Sequence, residues 1–405
     1  MGYFKDTLRG ISWMTILRVL IRGLGIIKIA ILARILSPAQ FGNYAIALLV
    51  LGFLEVLTET GINIFLIQEK GDVKPYLNSS WVVSIVRGFL ISLIILAASP
   101  LVVYFFKSPE VTKLLYIVAG VAIARGFINP MEVAFQKDLQ FTKEFLFRGV
   151  LYFVDAAVAV FLGFLTHSES SMLFGMLAAA ATEVFLSFIL FKDKPKFLVS
   201  KEKVQKVLHS GKWVTGAAIF SYIFQNIDNV TVGKVLGTSS LGFYQQAYSI
   251  STLPVSEIGG IFNKVTFPVY VVIGGDRERL KKAFLKTLAV VTALVVPFSL
   301  IILFFSKPII LIVLGEKWLA IEPVLKILAI FGALKSVLNF SYSLFLSLKL
   351  QKLVMYSELM GIIGMGAAIY PMTVKYGITG AGMSTIIAFI CSLPVVIFGL
   401  KKVFK

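Results

Sequence analysis

Apolar residues in this chain come in long blocks of about two dozen, separated by short polar breaks. Twelve blocks can be marked, at about 13–36, 41–66, 78–105, 114–135, 145–166, 171–191, 213–236, 240–262, 284–305, 320–347, 353–374 and 377–400. As helices they rise ~30–40 Å each at ~1.5 Å per residue, enough to cross a hydrocarbon core ~30 Å thick. The pattern therefore predicts an all-α integral membrane protein with 12 transmembrane helices. Ser37-Pro38, Pro109, Pro195, Gly274-Gly275 and the Gly377/Gly380/Gly382 cluster mark turns or helix starts. One stretch, 192–212, is polar and basic for its whole length. Its 200–210 portion has the spacing of a short amphipathic helix lying on the membrane surface.

The blocks repeat. Aligned without gaps at an offset of 200, residues 8–47 and 208–247 share eight identities: Leu8, Trp13, Thr15, Ile27, Leu36, Gly42, Tyr44 and Ala47. Apolar composition alone does not align Trp, Gly and Tyr. The chain thus divides into an N-terminal six-helix lobe at 1–191, a basic cytoplasmic linker at 192–212 and a C-terminal six-helix lobe at 213–405. An even number of crossings brings each half in from the same side, so the lobes are parallel and pseudo-symmetric about an axis along the membrane normal. A weaker echo at an offset of 210 matches Arg125 and Asn129 with Lys335 and Asn339, with Glu132 and Tyr342 one turn further on. It sets a cation, an amide and a third polar group on one helical face, either as cavity lining or as interhelical glue.

Composition agrees: 58% of the 405 residues are hydrophobic and 15% charged. A formal net charge of +18 points to nucleic acid in a soluble protein; here its placement matters more, and nucleic acid is not expected. Lys70, Lys74, Lys137, Lys143, Lys281, Lys282, Lys401 and Lys402 fall at the termini and even-numbered loops, against Lys107, Lys113, Lys307, Lys317 and Lys375 in the opposite loops. The positive-inside rule then puts both termini in the cytoplasm of a cell membrane. The first apolar run is too long and too charged for a signal peptide. Two histidines and one cysteine exclude a His/Cys metal cluster and an intrachain disulfide.

Against this background the charges inside the blocks stand out. Arg18, Arg22 and Lys28 interrupt the first block. Facing lipid at the bilayer centre, each would cost ~2.5–3.5 kcal/mol or more. At ~100° per residue all three fit one helix face, which should turn to a polar interior. Glu55 and Glu59, one turn apart, either line the same interior or pair with these cations. Asp155 and Glu183 are candidate proton or cation sites. The structural alternative for these carboxylates is ion pairing with Arg87, Arg125 or Arg148. Ser221, Gln225, Asp228 and Asn229 fall on one ~100° stripe of the seventh block.

Gly10-Ile11-Ser12-Trp13, the Leu36–Tyr44 turn (Leu-Ser-Pro-x-x-Phe-Gly-x-Tyr) and Leu314-Gly315-Glu316-Lys317-Trp318 with Pro323–Leu328 resemble polysaccharide-unit flippases. These form the polysaccharide transporter branch of the multidrug/oligosaccharidyl-lipid/polysaccharide superfamily, and the resemblance covers nearly the whole chain. It implies two six-helix lobes around a central cavity lined by the first two helices of each. It also implies a polyprenyl-diphosphate-linked oligosaccharide (an O-antigen, capsule or exopolysaccharide unit) carried from the cytoplasmic to the outer leaflet by alternating access. Arg18, Arg22 and Lys28 would then receive the diphosphate, since guanidinium groups match phosphate oxygens, and Ser221, Gln225, Asp228 and Asn229 the sugar. Lys28 and Asp228, equivalent in the repeat, would be able to pair. No cofactor is called for, with proton or sodium coupling left open; a polysaccharide polymerase and other envelope glycan enzymes are candidate partners. A multidrug or cation antiporter of the same superfamily is the alternative, disfavoured by the cationic first block. A membrane glycosyltransferase or ligase is the enzyme alternative, but no catalytic constellation is visible.

Overall fold

The computed structural model describes residues 20–68, 73–138 and 140–404, and all regular structure among them is helical. The chain divides into two compact units, the second beginning at Asp228.

In the first unit α1 (residues 20–35) stops at Ser37-Pro38. Ser37 opens α2 (Pro38–Leu57) with a capping box, its side chain accepting from Gln40 N while its own N–H donates to Gln40 Oε1 at 2.8 Å. Proline at the next position has no N–H to lose, so the start is fixed twice. The helices that follow are α3 (Ile62–Gln68), α4 (Lys74–Phe106), α5 (Val111–Gly126), a 3₁₀ turn at Pro130–Val133, α6 (Ala134–Lys137), α7 (Phe141–Thr166) and α8 (Ser170–Leu190). α7 lies along α8, α4 along α5, and α5 also packs on α8 and α2.

α4 shows the logic of a lipid solvent. Val86, Phe89, Leu90, Leu93, Leu96 and Leu101 form its exposed stripe, whereas its buried face holds Gly88, Ile91, Ser92, Ile95 and Ser99. Lipid tails take the large apolar side chains, and small or hydroxylated residues let helices approach one another.

Two spans expected to be continuous are broken. The 41–66 block splits at Thr58, whose hydroxyl donates to Leu54 O at 2.6 Å, and restarts after Gly61. The 114–135 block bends by 72° between α5 and the segment Pro130–Lys137. At that bend Trp81 Nε1 donates to Phe127 O at 3.0 Å, and the wholly buried Asn129 reaches Ser187 O and Asp193 O at 3.4 and 3.1 Å. Backbone freed at membrane depth is tolerated where protein groups satisfy it, as here. The bend also removes Asn129 and Glu132 from the helical face assigned to them with Arg125, whereas Lys335 and Asn339 do share a helix.

α9 (Lys201–Leu236) crosses from the first unit into the second. The 200–210 stretch is therefore the opening of a long helix rather than a separate surface helix. The second unit continues with α10 (Thr238–Ile273), α11 (Arg277–Phe304), α12 (Ser306–Val313), a 3₁₀ turn at Glu316–Ile321, α13 (Glu322–Ser347) and α14 (Gln351–Phe404). Its core gathers Tyr270, Leu280, Phe284, Leu344, Phe345 and Val396. Fifty-four residues make α14 too long for one crossing, and Gly377, at φ 63°, breaks it.

Six described helices are long and apolar enough to cross a bilayer, seven when the bent pair counts as one crossing. The expected number of twelve is not reached by that measure. α14 alone spans two of the expected blocks, and the first block is described only from residue 20.

Candidate functional site

A cavity of about 540 Å³ lies inside the first unit, and its wall combines Glu55, Glu59, Arg87, Arg125, Glu132 and Tyr222 with small and apolar residues. Close helix packing creates it. A Cβ on Gly88 would stand 2.6 Å from Ala122 O, and one on Gly126 would stand 2.9 Å from Ser84 O. α4 and α5 therefore touch backbone to backbone, and Arg87 and Arg125, one residue before each glycine, reach the same space.

Both guanidiniums bind the broken end of α2. Arg87 Nη2 donates to Glu55 O at 2.6 Å and to Glu59 Oε2 at 3.5 Å, and Nε donates to Thr58 Oγ1 at 3.2 Å. A helix C-terminus leaves carbonyls without partners and carries partial negative charge, so a cation suits it. Arg125 Nη1 donates to Glu55 Oε1 at 2.5 Å. Opposite, the Tyr222 hydroxyl donates to Leu49 O at 2.8 Å, its ring filling the space a Cβ on Gly52 would take.

Beyond Glu132 the wall joins a second charged group. Arg148 donates from Nη1 to Glu183 Oε1 at 2.6 Å and from Nη2 to Glu132 Oε1 at 3.4 Å. Glu144, in the first turn of α7, accepts from Gln136 Nε2 at 2.9 Å.

Elsewhere in the first unit Lys28 donates to both carboxylate oxygens of Asp155, at 2.9 and 2.7 Å. Tyr44 lies within electrostatic reach of Lys28, Asp155 and Arg125. In the second unit the buried Asp228 accepts from the Tyr244 hydroxyl at 2.9 Å and from Asn229 N at 2.8 Å. Lys335 interacts with Asp228 electrostatically and donates to the Tyr248 hydroxyl at 3.1 Å. The repeat-equivalent positions 28, 44 and 125 in one unit and 228, 244 and 335 in the other thus gather in each.

The expected site residues separate into groups. Arg18 lies outside the described residues, and Arg22 is exposed on α1. Lys28, which the repeat offers to Asp228, is held by Asp155. Glu55 and Glu59 pair with Arg125 and Arg87. Glu183 pairs with Arg148, the structural alternative given for it. Ser221 and Gln225 are exposed and bonded to each other at 2.9 Å, whereas Asp228 turns inward. Tyr222 lines the cavity without having stood out in the sequence, because an aromatic residue in an apolar block carries no signal. Arg87 carried one: an arginine inside a span is a site candidate of either sign.

The family model described as "Polysaccharide biosynthesis protein" matches residues 31–323. The chain is 28% identical over 354 residues to the lipopolysaccharide biosynthesis protein WzxC of Escherichia coli (strain K12), covering 84% of this chain and 69% of that one. Among solved structures, the lipid II flippase MurJ in an inward closed conformation superposes with a TM-score of 0.73 at 17% identity, over 96% of this chain and 88% of that one. An inward-facing multidrug resistance transporter of the MATE family superposes with a TM-score of 0.70 at 16% identity, over 95% and 94%. At those identities the two structures speak to the fold alone, an all-helical multi-span membrane fold common to both.

Proposed function

The chain belongs to the polysaccharide biosynthesis protein family, and from that premise we propose that it is a flippase for a polyprenyl-diphosphate-linked oligosaccharide. It is a membrane transporter and not an enzyme, which removes the glycosyltransferase or ligase alternative. The multidrug alternative shares the fold, so membership of the polysaccharide family is what weighs against it. In the proposed arrangement twelve spans form two parallel six-helix lobes, at 1–191 and 213–405, joined by the linker at 192–212. Both termini are cytoplasmic, and the cargo passes from the cytoplasmic to the outer leaflet by alternating access. An O-antigen, capsule or exopolysaccharide unit fits this role, with a polysaccharide polymerase as the next protein to receive it.

The observation that carries the reading is Arg22, an exposed guanidinium on a membrane helix. The exposed stripe of α4 is apolar. An arginine inside a span is a candidate for the substrate path, and one at an exposed position can turn to an anionic cargo. Arg18, Arg22 and Lys28 would meet the diphosphate, Lys28 exchanging the Asp155 carboxylate for phosphate oxygens. Ser221, Gln225 and Asn229, with Asp228, would meet the sugar.

Arg22→Gln tests this. Glycan export in cells should fall severely while the protein still accumulates in the membrane. Binding of a polyprenyl diphosphate to the purified protein should weaken, and binding of a neutral polyprenol should not. Arg22→Lys should restore part of the activity, because an ammonium lacks the planar fork. If Arg22→Gln binds and exports like the parent, the reading is wrong, and drug resistance in a sensitive host becomes the next measurement.

A further inference from the structure

We propose that Glu132 and Glu183 together bind one proton, at a site opening onto the first-unit cavity, and that this proton strengthens the hold of that cavity on an anionic cargo. The cargo part rests on the function proposed above; the binding part does not. The two carboxyl groups share the single guanidinium of Arg148, Glu183 Oε1 lying 2.6 Å from Nη1 and Glu132 Oε1 3.4 Å from Nη2. Arg148 neutralises one of them. Glu132 Oε2 is buried and lacks a hydrogen-bond partner among the described residues. Two carboxylates this close in a poorly solvated place do not both stay ionised, and a shared proton supplies the missing hydrogen bond.

Among the described residues the surrounding charges are otherwise engaged. On α7, Glu144 adds a third carboxylate near Arg148 and is served by Gln136 and by the helix N-terminus. On α4 and α5, Arg87 and Arg125 are engaged by Glu59 and Glu55 of α2 and its end. Lys137 follows on α6 with partners of its own. Sodium fits the same place poorly, because it wants several oxygen ligands and Arg148 presents N–H groups.

Glu132 sits in the turn after the 72° bend, Arg148 on α7 and Glu183 on α8. A proton on the pair frees Glu132 from Arg148 and makes the cavity one charge more positive. An anionic cargo is then held more tightly.

The test uses the full-length purified protein in lipid nanodiscs. Infrared difference spectra between mildly alkaline and mildly acidic pH should show a carboxylic-acid carbonyl band that is absent in both Glu132→Gln and Glu183→Gln. Replacing sodium by choline should leave it unchanged. Unfolding temperatures of the variants close to the parent's establish that they fold, and if one misfolds the other decides. A band that persists in a folded variant, or that depends on sodium, overturns the proton site. Polyprenyl diphosphate binding should weaken severalfold on raising the pH across that range, and in Glu132→Gln it should not. A band that behaves as expected with pH-independent diphosphate binding overturns the effect on cargo while leaving the proton site standing.

Discussion

Lys28 rests on both oxygens of Asp155, with 13% and 23% of the two side chains exposed, and so ties α1 to α7 inside the first unit. In a nearly dry setting the loss of one partner strands the other charge. Asp155→Asn should therefore lower the stability of the purified protein by about 3 kcal/mol, read as a fall in unfolding temperature. Replacing both, as Lys28→Met with Asp155→Leu, should recover most of that loss. A double variant no more stable than Asp155→Asn would show that the pair does more than satisfy itself, as an exchangeable phosphate contact would.

The close approach of α4 and α5 gives a prediction about space. A Cβ on Gly88 meets a backbone carbonyl at 2.6 Å, which cannot rotate away as a side-chain end does. Gly88→Ala should cost about 1–3 kcal/mol through overpacking and weaken whatever Arg87 and Arg125 do jointly. Gly149→Ala is the control, since nothing stands within 4 Å of its added Cβ. Equal unfolding temperatures for the two variants would refute the close contact.

How much of this was legible beforehand can be judged from particular residues. Long apolar blocks gave the helices, and Ser37-Pro38 gave the start of α2, because capping is local chemistry written in adjacent residues. The breaks after Leu57 and Gly126 were not legible, since what permits them is remote: Arg87 on the α2 end and Trp81 and Ser187 at the bend. Charges in spans were legible as candidates, but their partners were not. Lys28 and Asp155 were each singled out, but their pairing was not visible, because it depends on how α1 packs on α7.

In the second unit Tyr244 is wholly buried and donates to Asp228. Removing that hydroxyl leaves a buried carboxylate short of a donor, so Tyr244→Phe should cost about 1–3 kcal/mol. Asp228→Asn keeps a hydrogen-bonding carbonyl and sheds the charge, and should cost less. If Tyr244→Phe unfolds at the parent's temperature, water serves Asp228 as well as the tyrosine does, and the site is wetter than its burial indicates.

Orientation gives the last prediction, and it rests on where lysines and arginines fall. Ser168 lies between α7 and α8, in a loop with neither lysine nor arginine between Arg148 and Lys192, whereas Ser200 is followed by Lys201, Lys203 and Lys206 at the start of α9. Positive loops stay in the cytoplasm. With Cys391→Ser removing the single cysteine, a cysteine at position 168 should react with a membrane-impermeant thiol reagent on intact cells, and one at position 200 only after the cells are opened. The reverse pattern would turn the protein over. The termini and the stretch around Ser200 would then lie outside the cell, and the lysine and arginine bias of the loops would have failed as a guide to orientation.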